Sequence, residues 1–248
     1  MRRSHASKKV QQFSVVDALV AGLFDGEFPV SEVVHAGDFG LGCGDHMDGE
    51  LVLLDGVCRL FHGDGSVTVL EPDETLAFAQ VVPFAPELSE PLEAVAGLAE
   101  LVAEVRARVA SENLFHAVRF RGRFDSITLR EAVRQTKPYR PLAEAVHTQR
   151  ETTATDARGT IVGFVTPPFF QGIGVAGPHL HFVDDEGRVG GHVLGLEGAT
   201  GELSLETYFG VSILLPHSEE YLSADLGAGL DAAGVDRAIR HAESDSQH

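Results

Sequence analysis

The chain has no tryptophan, two methionines and two cysteines in 248 residues. Two thiols, Cys43 and Cys58, make no disulfide scaffold, and they form no C-x-x-C redox or zinc pattern. Both are expected to serve as small, half-buried apolar side chains. Positive charge is scarce too: 19 Lys and Arg face 37 Asp and Glu, a formal net charge of −18. A surface of that sign repels phosphate backbones and anionic lipid, so neither nucleic acid nor membrane is an expected partner. "VRFRGRF" is the one basic run, and its alternation reads as a strand. Long hydrophobic runs are missing as well, and none nears the ~18 residues that a membrane span needs. "MRRSHASKKVQQ" is basic, but Asp17 interrupts the apolar stretch "FSVVDALVAGLFDGEF" behind it. An amphipathic helix is expected there rather than a signal peptide, and the cytoplasm is the expected location.

What remains is an ordinary globular composition, 44% hydrophobic and 23% charged, long enough for one large domain or two small ones. Val15, Leu19 and Leu23, with Val16 and Val20, recur at helical spacing up to Gly26, and Ser31 is placed to cap a second helix. "ELVLLDGVCRLF" predicts a hairpin around Asp55-Gly56, residues that tolerate the positive φ of a type I′ turn. "PLEAVAGLAELVAEVRARVASENL" predicts the strongest helix, opened by Pro91 and striped by Leu92, Val95, Leu98, Leu101, Val102, Val105 and Val109. "LFHAVRFRGRFDSITLR" reads as two strands about a turn at Gly122, "GTIVGFV" as a buried strand, and "GELSLETYFGVSILLP" as further strands. The tail from Ala224 is expected to be partly helical. Strands outnumber helices and hairpins outnumber β-α-β units, so the expected class is α+β, with mixed sheets and a few flanking helices. Pro138 and Pro141 suggest a division into residues 10–142 and 143–248.

Three of the twelve histidines fall inside "HLHFVDDEGRVGGH", His179 to His192. Side chains at i and i+2 of a strand share a face, so His179 and His181 point the same way. Asp184, Asp185, Gly187 and Gly190 supply turn chemistry, and a turn centred between Glu186 and Gly187 sets 181 directly opposite 192. Directly opposed Cβ atoms lie only ~5 Å apart. Three imidazoles so placed reach a common point at zinc distance and leave coordination positions open, as in a catalytic site. The plain alternative is a polar face of a solvent-exposed hairpin. The other histidines, among them His46, His62 and His116, show no such clustering and are read as surface or core residues.

With these motifs the sequence resembles the acetolactate decarboxylase family. "GDFGLGCGDHMDGELVLLDG", "SENLFHAVRFRGRF", "TLREAVRQTKPYRPL" and "RGTIVGFVTPPFFQGIGVAGPHLHF" follow in the family's order, and the likeness runs from about Val15 to the end. It implies a zinc-dependent lyase that converts 2-acetolactate to acetoin and carbon dioxide. Two related α/β domains, the metal on the second, and a homodimer are implied with it. Residue by residue, His179, His181 and His192 fall on the metal ligands. Glu50 falls on the glutamate of the D-G-E-L motif, Arg130 on the arginine before the P-Y motif, and Glu243 on a glutamate near the C-terminus. Arg134 is the rival to Arg130. The chain departs from the pattern at Cys43, Gly44 and Pro178, where the family carries threonine, an aromatic and tyrosine, and this bears on pocket shape and substrate range.

The chemistry suits those residue types. Acetolactate is a β-keto acid whose hydroxyl sits on the carbon that bears the carboxylate. Loss of carbon dioxide leaves an electron pair delocalised as an enediolate, which a preorganised cation chelated by the hydroxyl and ketone oxygens would stabilise as a Lewis acid. Neutral imidazoles leave such a cation its full charge. Arg130 would grip the carboxylate or a chelating oxygen, and Glu50 or Glu243, held protonated, would deliver a proton. Three imidazoles also suit iron, nickel or copper, so zinc rests on the family. The same histidines would equally serve another three-histidine metalloenzyme, such as a hydrolase or a lyase of a related 2-hydroxy-3-oxo acid. A sensor domain without turnover would also carry them.

Overall fold

Asp55 and Gly56 take φ values of 53° and 77°, and the hairpin they close joins β4 (Glu50–Leu54) to β5 (Val57–Phe61). This is the expected turn, and the computed structural model, which describes residues 8–226, builds one sheet around it. That sheet also takes β1 (Lys9–Phe13), β2 (Phe28–Pro29), β3 (Phe39–Gly44), β6 (Val67–Val69) and β7 (Thr75–Val82). Its path runs β13-β1-β7-β3-β4-β5-β6, with β2 beside β7; β13 (Gly210–Leu214) returns from late in the chain to pair parallel with β1. A second sheet, ordered β11-β10-β9-β12-β8, holds β8 (Leu88–Gly97), β9 (Phe115–Glu131), β10 (Arg150–Thr166), β11 (Gly177–Asp184) and β12 (Gly190–Tyr208). All its pairings are antiparallel, so parallel and antiparallel pairs coexist in the molecule and the class is α+β, as expected.

The sheets pack face to face. Val10, Leu41 and Val52 of the first meet Ala117, Val162 and Phe164 of the second in one cluster. Central strands in such a stack are covered on both faces and lose their polar alternation, which is why Gly159–Thr166 is buried throughout. The outer faces are covered by helices. Leu101 and Val105 of α3 (Leu98–Arg108) lie on the second sheet, and Val33 of α2 (Val30–Ala36) lies on the first. Two short helices, α1 (Val16–Val20) and α4 (Leu142–Ala145), close one end of the stack, and α5 (Glu219–Ser223) is exposed.

Four expectations need correction. The helix expected from Pro91 begins only at Leu98, because Leu88–Gly97 is a strand. Gly122 is no turn; it sits inside the 17-residue β9. The first helix stops at Val20, with Gly22 behind it at φ 84°, and does not run on to Gly26. Ser31 lies inside the first turn of α2, and Pro29 holds the cap position. β9 and β10, on either side of residue 142, pair from Arg150↔Glu131 to Val165↔His116. The tail beyond residue 226, with Glu243, lies outside the described residues.

Candidate metal centre and active site

Period-two alternation aims the histidines. On β11, Leu180 and Phe182 turn to the outer core of the second sheet, so His179 and His181 turn to the first sheet. His181 pairs directly with His192 on β12, the register expected from the sequence, and His192 in turn pairs with Arg130 on β9. Four candidate site side chains thus share one face across three strands. The three imidazole centroids stand 5.0, 5.2 and 5.4 Å apart, and one ring nitrogen from each lies within 4.8 Å of the others. All three rings are buried. Gly191, at φ 153°, makes the approach to β9 possible, since a Cβ there would meet the Arg130 carbonyl oxygen at 2.6 Å.

Burial decides the charge state. With help from the positive charge of Arg130, it pulls His179 down to about 3 and holds His181 and His192 well below the ordinary histidine range. The rings are therefore neutral, each with one lone pair to offer. For His181 the tautomer follows from its partner. Its Nδ1 lies 2.8 Å from the Leu51 carbonyl oxygen, which only accepts, so Nδ1 carries the hydrogen and Nε2 the lone pair. That lone pair faces Glu50 Oε2 at 3.4 Å. Two acceptors aimed at one another call for a proton or a cation between them, and this is the observation that fits a metal to these residues.

Glu50 starts β4 on the opposite sheet and is 5% exposed. Arg130 reaches across to it, with Nε and Nη2 each 3.5 Å from Oε1. Arg130 Nη1 is buried with no hydrogen-bond acceptor among the described residues. A guanidinium N–H rarely stays so, because an unmet buried donor costs roughly 1–3 kcal/mol. Glu50, Arg130, His179 and His181 line a cavity of about 60 Å³. By that measure one water needs ~10–15 Å³, so the space suits a small molecule.

Sequence reasoning missed the cavity's apolar wall, which Val16, Leu19, Met47, Phe78, Leu142 and Val175 supply. These residues are scattered over five segments, and only the helical stripe of Val16 and Leu19 hinted at burial. Cys43, set opposite Glu50 in register, also lines the wall; burial and the Glu50 charge push its thiol pKa up. Both cysteines are buried rather than half-buried. Gly44 is crowded, for a Cβ there would lie 2.7 Å from the Asp48 carbonyl oxygen. Pro178 precedes His179 at the start of β11, opposite Val165. Arg134, the rival arginine, is half exposed and pairs with Asp48 at 3.2 Å. His116 is buried and hydrogen-bonded to Thr207 and to the Ser111 carbonyl oxygen, while His62 bonds Asp48 and Thr68. His46 contacts Tyr139 and Asp25 in a polar cluster that Lys137 enters, 2.5 Å from Asp25.

Residues 10–228 match the family model for alpha-acetolactate decarboxylase. The chain belongs to that family. The Methanosarcina mazei alpha-acetolactate decarboxylase is 38% identical over 92% of this chain and 79% of its own length. The Bacillus licheniformis enzyme is 34% identical over 93% and 91%. The crystal structure of the Bacillus subtilis strain 168 alpha-acetolactate decarboxylase superposes with a TM-score of 0.89 at 32% identity, covering 95% of this chain and 99% of that one. As a member of the alpha-acetolactate decarboxylase family the chain is a carboxy-lyase. In this member the histidine triad comes from the second sheet and Glu50 from the first, so the site spans the interface between the sheets.

Proposed function

We propose that the chain decarboxylates 2-acetolactate to acetoin and carbon dioxide, with zinc held by His179, His181 and His192. One observation carries the reading: three clustered neutral imidazoles, a cradle for a cation, stand beside Arg130, whose N–H is unsatisfied, and His179, His181 and Arg130 line one small cavity. When bound, the cation supplies Lewis acidity to the electron pair that the departing carbon dioxide leaves behind. Arg130 binds the substrate carboxylate through Nη1 and so fixes the direction of the breaking carbon–carbon bond. The apolar wall excludes water and strengthens both interactions. Glu50, an ionised partner of Arg130 in the free protein, takes up a proton from solvent in the substrate complex. As the enediolate collapses, that proton moves from the Glu50 carboxyl to the carbon that lost carbon dioxide, and solvent restores it. Glu243 is the second carboxylate of this reading. The chain would work in the cytoplasm as a homodimer; exposed Phe209, Leu214 and Leu215 at the β13 edge support association.

Purified protein is assayed with racemic acetolactate before and after chelation, and acetoin is measured beside metal content. Acetoin that disappears with the chelated metal and returns with zinc is expected. Glu50→Gln should keep its metal and lose roughly 10²–10⁴-fold in kcat. No acetoin from zinc-loaded protein would overturn the reading.

A further inference from the structure

Away from the metal centre, the gap between the two sheets opens into a second cavity, about 300 Å³ in volume. Three guanidinium groups line it in a chain whose net charge is −18. Arg59 on β5 shares a strand face with Phe61, which packs between the sheets. Arg119 and Arg121 on β9 share the face of Ala117, which packs there too, and the buried Thr160 stands opposite Arg121 in register. Both sheets therefore aim cations into one space.

Their own carboxylates do not satisfy them. Half-buried Arg59 has no hydrogen bond or ion pair among the described residues, and it lies against Gly187, where a Cβ would come 2.6 Å from its Nε. Arg119 has one hydrogen bond, Nη2 to Ser204 Oγ at 3.3 Å, and rests over the Phe84 ring at 5.2 Å. Among the described residues only Arg121 of the three meets a carboxylate, Asp185 at 3.7 Å, and both are exposed. Asp184 also lines the cavity, but its Oδ1 already accepts the backbone N–H groups of Arg188 and Val189 at 2.6 and 2.9 Å. Asp55 sits exposed at the hairpin tip. Among the described residues, two guanidiniums facing the gap have no carboxylate partner, in a chain with a large excess of acidic side chains.

We propose that this cavity binds a dianionic phosphate group, free or as the monoester of a small molecule. A planar carboxylate is satisfied by one guanidinium fork. Three forks arriving from two sheets suit a tetrahedral anion with oxygens to offer in several directions. The site is independent of the metal centre, so its test must separate the two.

Inorganic phosphate and glycerol 3-phosphate are titrated calorimetrically into zinc-loaded protein at constant ionic strength set by chloride. Wild type, Arg59→Gln and Asp185→Asn are compared. Saturable binding that weakens at least tenfold in Arg59→Gln and tightens in Asp185→Asn is expected, with acetoin formation in the absence of phosphate unchanged in both. Tighter binding of the ester identifies a phosphorylated small molecule as the ligand; equal or tighter binding of phosphate identifies the free anion. Equal affinity in wild type and Arg59→Gln would place the anion elsewhere, at the metal centre included, and overturn the proposal. So would wild-type protein that binds neither anion.

Discussion

Arg130 is the residue on which position and charge depend together. Its Nε and Nη2 face Glu50 while Nη1 is buried with no hydrogen-bond acceptor among the described residues, a division of labour that a lysine's single ammonium does not reproduce. Arg130→Lys should lower kcat/KM by about 10- to 100-fold, the worth of a charge-assisted hydrogen bond. Steady-state kinetics on the zinc-loaded variant measures it, and turnover within twofold of wild type would remove Arg130 from substrate binding. Its neighbour Glu131 makes a prediction about stability instead. Burial raises this carboxyl from 4.5 to about 7, against the opposing hydrogen bond from Thr152 and the charge of Arg150. Because the folded value is the higher one, the native state is favoured below the unfolded pKa, and this advantage is lost as pH rises through about 7. Glu131→Gln should therefore be more stable than wild type at pH 8 and gain nothing at pH 4. Denaturant unfolding at the two pH values checks the sign, and a gain larger at pH 4 would contradict it.

At the level of elements, the histidine ribbon was legible because two simple periods coincide. Alternation puts His179 and His181 on one face, and the Glu186-Gly187 turn brings His192 opposite His181. The misread elements have physical causes. Leu92 and Val95 are both buried although three apart, a spacing taken for helix. In fact β8 carries an extra residue: Leu92 pairs with Gly201 and Val95 with Ala199, so three steps on β8 oppose two on β12. A bulge of this kind mimics helical spacing. Gly122 looked like a turn for a related reason. It sits where β9 and β12 touch too closely for a side chain, since a Cβ would meet the Thr200 carbonyl oxygen at 2.2 Å. Glu50 and Arg130 were found through family motifs alone, because no spacing in the sequence reveals that β4 of one sheet faces β9 of the other. The same close approach supplies a test at the ribbon. Gly191→Ala should force β12 away from the Arg130 carbonyl, displacing His192 and lowering zinc retention on dialysis at least tenfold while the protein stays folded. Zinc retention equal to wild type would show that the ribbon's path does not depend on that glycine.

For the whole molecule the governing quantity is charge. A chain of net charge −18 presents a field that opposes the approach of an anionic substrate, while Arg130, the cation proposed to receive it, lies buried between the sheets. Long-range repulsion is screened by salt and contact inside the cavity is not: the Debye length falls from about 30 Å at 0.01 M to about 8 Å at 0.15 M ionic strength. Raising sodium chloride over that range should lower KM for acetolactate severalfold and leave kcat unchanged, because screening acts on encounter and not on the chemical step. Chloride that competed at the arginine would raise KM instead, so the sign of the change separates field from site. In Arg130→Lys the lowering of KM by salt should persist, since the field belongs to the surface carboxylates. A KM independent of salt in both proteins would mean that the acidic surface stands too far from the cavity mouth to be felt there.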